Sequence, residues 1–284
     1  YFNNMNSSVA YIYGFLPTDF GRVSDAMMES ATDNSVYTWE NNSIYYITNG
    51  IWSPLKRVDD GWGFWDGVRS ANLFLENFDP KVLERFQYNE DYDEMIDKAS
   101  KFSLEVRFLR AFYLFELAKR YGDIPLITRT YTQEEINSVR KTSFADVIDF
   151  IAKECTEITR EGGLPEDGVR GETGRVTKGA ALALKSRALL YAASDLHNPA
   201  HDLTKWEAAA KAAYEVIKMN KYQLPNVSTD PLYSDLGGNE VLKSKQLIFE
   251  RRAIATTSDF ESRNEPMGYE GAEGGNTPTQ NLVD

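Results

Sequence analysis

Few side chains in this sequence are placed to do chemistry. His197 and His201 stand four apart in HNPAH, the spacing that lets two imidazoles share a zinc ion on one helix. Pro199 between them breaks such a helix and no glutamate follows the first histidine. The water-activating H-E-x-x-H arrangement is therefore missing, and no metal site is expected. With no other histidine and no G-x-S-x-G, there is poor material for a Ser–His–Asp triad. Carboxylates pair at Asp59–Asp60, Asp91–Asp93 and Glu134–Glu135. A glycoside hydrolase needs two such groups facing each other about 5–10 Å apart. Forty-three acidic residues make chance pairs inevitable, and these read as solvated faces. GYEGAEGG offers glycines but sets Glu270 and Glu273 among them with no lysine, the reverse of a phosphate cradle. Cys155 is the sole cysteine and falls on the apolar face of a helical stretch, so it reads as core. No cofactor is expected.

Aromatic rings in polar surroundings survive this sifting. Trp39, Tyr45, Tyr46 and Trp52 lie in TDNSVYTWENNSIYYITNGIWSPLKRVDDG, a stretch rich in Asn, Ser and Asp that keeps no helical period. Rings not on a periodic apolar face are free to stack on the apolar faces of sugars while neighbouring Asn, Asp and Arg bond the hydroxyls. The competing reading is that they anchor the loop to the helices behind it.

The elements that must carry these rings are helical. The first helix is expected over Asn3–Leu16, followed by an extended loop over Pro17–Asp60. WGFWDGVRSANLFLENF resumes helical spacing, with Trp65, Val68, Ala71, Asn72 and Leu75 on one side. A long helix over Tyr92–Tyr121 is apolar around most of its circumference, which requires neighbours on several sides. Its charged residues Glu105, Glu116, Lys119 and Arg120 gather into one narrow strip beside Lys101. Arg107 and Arg110 fall on the apolar side and must each meet a carboxylate or carbonyls, because an unpaired buried guanidinium is very costly. Gly122 supplies a left-handed C-cap and Pro125 keeps the helix from resuming.

Three further helices follow. TSFADVIDFIAKECTEI is capped by Thr142 or Ser143, RVTKGAALALKSRALLYAASDL is crowded with alanine, and LTKWEAAAKAAYEVIKMNKYQL opens on a capping box of Thr204 and Glu207. Pairwise they make two hairpins similar to tetratricopeptide units. The best strand candidate is KSKQLIFERRAI, and GYEGAEGGNTPTQ reads as surface.

A net charge of −12 argues against nucleic acid or an anionic membrane surface as partner. No run of 18 apolar residues exists to span a bilayer. The chain starts without Met or a signal peptide and stops at GGNTPTQNLVD without a cap, as expected of a chain cut at that end.

In combination, four stretches resemble the SusD/RagB family of Bacteroidetes surface lipoproteins, which capture nutrients for a TonB-dependent transporter. EVRFLRAFYLFELAKRYGDIPLIT is similar to its A-x-x-R-F-L-R-A helix with the following Y-G-D-x-P-L. Here Arg107, Phe108, Leu109, Arg110, Ala111, Phe115, Leu117, Tyr121, Gly122, Asp123, Pro125 and Leu126 match. WDGVRSANLFLENF is similar to the family's W…A-N helix through Trp65, Ala71 and Asn72, departing at Val68. GRVTKGAALALKSRALLYAA resembles G-R-x-T-K-x-A-A-x-A-L-x-A-R, and TPTQNLVD resembles P-T-Q-x-L-V-D.

The resemblance implies an all-α fold of TPR-like helical hairpins with long loops and minimal β. Residues 1–284 then form a single SusD-like domain, incomplete at the C-terminus. It comprises an aromatic-rich loop region at 17–60, a TPR-like helical core at 92–220 and a loop-rich segment at 225–284. It also implies a lipid anchor on the outer membrane, with the anchor cysteine missing from this chain, a SusC-like TonB-dependent transporter as partner, hairpins facing that transporter, and no catalysis. The expected ligand is an oligosaccharide; a peptide, or hydrolysis of a glycan by two carboxylates, are the alternatives. The four motifs are scaffold. Ligand contacts in the family come from variable loops, which points to Trp39, Tyr46 and Trp52 in the first loop and Tyr269 in the late one.

Overall fold

The computed structural model describes residues 1–18, 22–167, 174–224, 245–251 and 259–283. Its elements begin with helix α1 (Phe2–Tyr13), strands β1 (Arg22–Val23), β2 (Ala26–Met27) and β3 (Ser35–Tyr37), and the single turn α2 (Tyr45–Thr48). Helices α3 (Gly63–Asn77) and α4 (Tyr92–Tyr121), the turn α5 (Gln133–Ile136), and helices α6 (Phe144–Ile158), α7 (Lys178–Ala193) and α8 (Leu203–Lys218) follow. Helix α9 (Asp259–Asn264), strand β4 (Asn276–Pro278) and the turn α10 (Gln280–Val283) come last. Stretches of 3-10 helix at Met28–Ala31 and Pro80–Phe86 complete them. Helix dominates and strand is minimal, as expected for an all-α fold. The chain divides into two compact units, one of Tyr1–Leu16 with Gly61–Arg252 and one of Pro17–Asp60 with Ala253–Asp284.

In the first unit α4 is the axis. It packs against α1, α3, α6 and α7, and its Phe102, Val106, Phe108, Leu109, Tyr113, Leu114, Phe115 and Leu117 are fully buried. The charged strip read from its sequence is not a solvated face: Glu105 and Glu116 are both buried. Glu116 instead pairs with Lys119 at 2.8 Å and Arg120 at 2.7 Å, one turn away. Glu105 receives Arg175 at 3.1 Å and the Tyr13 hydroxyl at 2.5 Å, which ties α1 and the lead-in to α7 onto α4. Burial first, then the Glu105 charge, pushes the Tyr13 phenol well above its usual range.

The half-buried Arg107 and the buried Arg110 each meet the partners that their positions demand. Arg107 donates to both oxygens of Glu154, at 3.1 and 2.7 Å, and to Glu157 at 2.6 Å. Arg110 donates to Glu154 at 3.0 Å, to the Asn72 side chain at 2.9 Å and to the Thr128 carbonyl at 3.1 Å. Asn72 in turn donates to the carbonyls of Ile127 and Arg129, each at 3.1 Å. One buried cluster thus fastens α3, α4 and α6 together and pins the extended segment that follows α4.

Gly122 ends α4 with φ +68° and ψ −110°, a conformation open to glycine but outside the ordinary left-handed well. Asp123 then accepts the Phe144 amide at 2.9 Å, and the Ser143 side chain accepts from the Asp146 amide, so α6 is capped twice.

Packing of α6 on α7 and of α7 on α8 gives the TPR-like hairpins. Buried Ala180, Ala181, Ala188, Ala209 and Ala212 let the helices approach closely. Two expectations are corrected here. Helix α8 is capped by Asp202, which accepts the Thr204 amide at 2.9 Å, and Glu207 pairs forward with Lys211 at 2.6 Å, so the Thr204–Glu207 box does not form. Asp202 wins because it stands one residue before the first helical position, Leu203. The strand expected in KSKQLIFERRAI is not present among its described residues 245–251; Phe249 packs edge-on against Phe108 at 5.4 Å.

The second unit holds the strands. β1 and β2 pair antiparallel as Arg22↔Met27 and Val23↔Ala26. β3 and β4 pair antiparallel as Ser35↔Pro278, Val36↔Thr277 and Tyr37↔Asn276. Val23, Ala26, Tyr37 and Ile44 form a small core. The stretch read as an extended loop therefore carries short strands, whose partner in one case lies far along the chain.

Candidate functional site

Candidate ring positions follow from how this small unit is tied. In β3, Ser35 and Tyr37 point inward and Val36 outward, so the strand buries alternate residues. Ser35 donates to the Asn276 side chain at 2.7 Å, and buried Ser30 donates to the same oxygen. Tyr37 packs into the core, where burial and then Asp25 push its phenol above the usual range. Thr38 donates from its backbone to the Gly275 carbonyl at 2.8 Å and from its hydroxyl to the Gly274 carbonyl at 2.9 Å. Trp39 follows immediately and is 44% exposed. A side chain at Gly275 would meet the Arg263 carbonyl and the Tyr37 ring, which is why this close approach uses glycine.

Those glycines end the late loop. Its backbone folds back on α9 through Glu273 to Ser262 at 2.8 Å, Gly274 to Glu265 at 3.0 Å and Gly275 to Arg263 at 2.5 Å. Arg263 is held by Asp25 at 2.5 Å. Tyr269 sits at the far part of this loop and is 71% exposed. Trp39 and Tyr269 are thereby carried by two segments that the β3–β4 pairing joins.

Tyr46 and Trp52 lie on the segment that follows, in and just after α2. Tyr45, beside Tyr46, hydrogen-bonds the Tyr37 carbonyl and so serves as the anchor of α2. Tyr46 is half-buried and carries the Lys56 ammonium 5.7 Å from its ring centre. Lys56 closes a tight turn on Ser53, with backbone bonds of 2.9 and 3.3 Å. Trp52 enters that turn and is 58% exposed. Exposed Asn49 and Arg57 flank it. Exposed rings held by anchored backbone can stack on a flat ligand.

The other chemistry-bearing residues lie elsewhere in different states. His197 stacks on Phe144 with ring centres 3.6 Å apart, and burial, with Lys205 adding to it, holds its imidazole below the usual value. His201 is exposed, 3.6 Å from Asp195. Cys155 is sealed in the core and burial pushes its thiol up to about 12, far from a nucleophile's range. Among the described residues no cluster of three or more His, Cys, Asp or Glu side chains is arranged to hold a metal ion.

A feature that sequence reasoning missed is a groove of about 1020 Å³ in the helical unit, beside Trp62 and Tyr121. The doubled tryptophan of WGFW was its one sequence signal, and helical periodicity absorbed Trp65 into the apolar side of α3.

A family model of SusD-like proteins, described as starch-binding and associating with the outer membrane, matches residues 10–190. No curated protein is detectably similar in sequence. Among solved structures, a SusD-like protein of Bacteroides fragilis is 26% identical and superposes with a TM-score of 0.73 over 99% of this chain and 51% of its own. A SusD superfamily protein of Bacteroides vulgatus is 19% identical, with a TM-score of 0.64 over 100% of this chain and 57% of its own. Surface glycan-binding protein A of Bacteroides thetaiotaomicron, solved with laminarihexaose, is 17% identical, with a TM-score of 0.59 over 87% and 48%. The chain thus spans about half the length of the structures it matches.

Proposed function

Because the chain belongs to the SusD-like family of starch-binding, outer-membrane-associated proteins, we propose that it captures glycans without transforming them. On this reading it is lipid-anchored at the cell surface and passes oligosaccharides to a SusC-like TonB-dependent transporter. The observation that carries the proposal is the exposure of Trp39, Trp52 and Tyr269 on loops whose backbones are tied down. Rings that only anchored their loops would be buried, as Tyr37 is. Tyr46, half-buried in the same loop region as Trp52, is the fourth ring of the proposed site. Laminarihexaose in the Bacteroides thetaiotaomicron relative supports an oligosaccharide as ligand class.

Holding rather than cleaving fits a surface of rings and amide donors. A glycoside hydrolase instead raises the pKa of one carboxyl so that it can protonate the leaving oxygen. A peptide is the second reading, favoured by the net charge of −12, which suits a basic ligand. Calorimetric titration with a panel of host and plant glycans beside a panel of basic peptides tests the choice. Heat with glycans alone supports the proposal. Heat with peptides alone replaces it.

A further inference from the structure

The groove in the helical unit is built from residues outside the ring-bearing loops. It is bounded by the start of α3, the end of α4 and residues 122–141. Trp62 and Tyr121 meet there with ring centres 5.7 Å apart, and Trp62 is 52% exposed. Further along, the Arg129 guanidinium lies 3.9 Å from the centre of the Tyr131 ring and pairs with Glu135 at 2.9 Å. Asp66, Arg69 and Gln133 add acceptors and donors to the lining, and all three are exposed.

This wall is preformed. Asn72 and Arg110 hold the carbonyls of Ile127, Thr128 and Arg129 from the core side. Glu76 accepts the Thr130 amide at 2.7 Å and its hydroxyl at 2.6 Å. Thr132 and Glu135 close a capping box around α5. The buried cluster read from the sequence as scaffold therefore also fixes a ligand-sized concavity, at the upper end of the roughly 300–1,000 Å³ that small-molecule pockets span.

We propose that this groove is a second saccharide site, separate from the ring-bearing loops. It takes a short oligosaccharide, with one sugar stacked on Trp62 and hydroxyls met by Asp66 and Arg69. The lining favours a sugar because it combines partly exposed rings with both hydroxyl donors and hydroxyl acceptors, on backbone that need not reorganise. The inference rests on the glycan-capture reading but not on where that reading places its first site.

Calorimetry of the 284-residue chain with laminarihexaose, and in parallel with a galacturonate hexamer, tests it. The two arms separate a neutral sugar from an acidic one that would engage Arg69. Trp62→Ala and Arg69→Ala are each expected to weaken binding of one probe about five-fold or more and to lower the stoichiometry by one site. Trp62→Phe should restore most of the loss, and an unchanged melting temperature shows that the fold persists. An isotherm that responds to Trp52→Ala but not to either groove variant overturns the second site and leaves glycan capture standing. An isotherm that responds to the groove variants alone supports this site and removes the loop assignment. If neither probe binds, this site falls, and the wider glycan panel decides separately whether capture falls with it.

Discussion

Single side chains divide here into those we propose to stack on a ligand and those that hold the fold. Trp52 belongs to the first kind: it is more than half exposed, and little of the fold depends on it. Trp52→Ala should weaken glycan binding by about 1 kcal/mol, roughly five-fold, with the melting temperature unchanged. Glu154 belongs to the second kind. Burial alone pushes its carboxyl up, but the hydrogen bonds and charge of Arg107, followed by Arg110, outweigh that and hold it below its usual value. A carboxyl so lowered stabilises the fold fully above its unfolded value of 4.5, and the contribution is lost as pH falls through the folded value. Glu154→Ala leaves the buried Arg110 without a carboxylate and Arg107 with Glu157 alone. It should cost about 3–5 kcal/mol in urea unfolding at neutral pH, with a flatter acid limb below pH about 4.5 than the parent chain shows. A parent-like acid limb in the variant would show that the carboxylate contributes nothing there. The need of Arg107 and Arg110 for partners was legible in the sequence, because guanidinium on an apolar face allows no other solution. Which carboxylate answers was not, since Glu154 lies 47 residues from Arg107.

Elements were legible where one local rule dominated. The long helix α4 shows its limits through apolar spacing and the glycine that follows, and α6 through Ser143 and its apolar face. Local rules misled where two competed. Thr204 and Glu207 spell a capping box, yet Asp202 caps α8 from two residues earlier. Asp202→Ala should therefore lower the melting temperature of the helical unit, while Glu207→Gln should change it little, since its partner Lys211 is a solvated i,i+4 neighbour. Thermal unfolding of the two variants checks this, and a larger loss for Glu207→Gln would restore the box. The strands were hidden for another reason. Ser35 and Asn276 are 241 residues apart, and no periodicity in either short segment announces the other. The aromatic loops could be seen as off-period rings, but not that β3 and β4 bring the segments of Trp39 and Tyr269 together. The groove near Trp62 showed only its doubled tryptophan in the sequence, because its walls come from separated segments.

For the whole molecule, the family and the all-helical scaffold were carried by motifs that fold rather than bind. Each now has a physical role: Asn72, Arg107 and Arg110 form one buried cluster, Arg175 locks onto Glu105, and Asp123 caps α6. The proposed ligand surfaces are ones those motifs support but do not spell out. The central claim is capture without turnover. It is tested most directly by titrating the chain with each glycan in a calorimeter and then assaying the same sample for new reducing ends after prolonged incubation. The account predicts saturable heat with at least one glycan and no reducing ends above the protein-free control. Reducing ends that accumulate with time, or the absence of binding to any glycan in the panel, would contradict it.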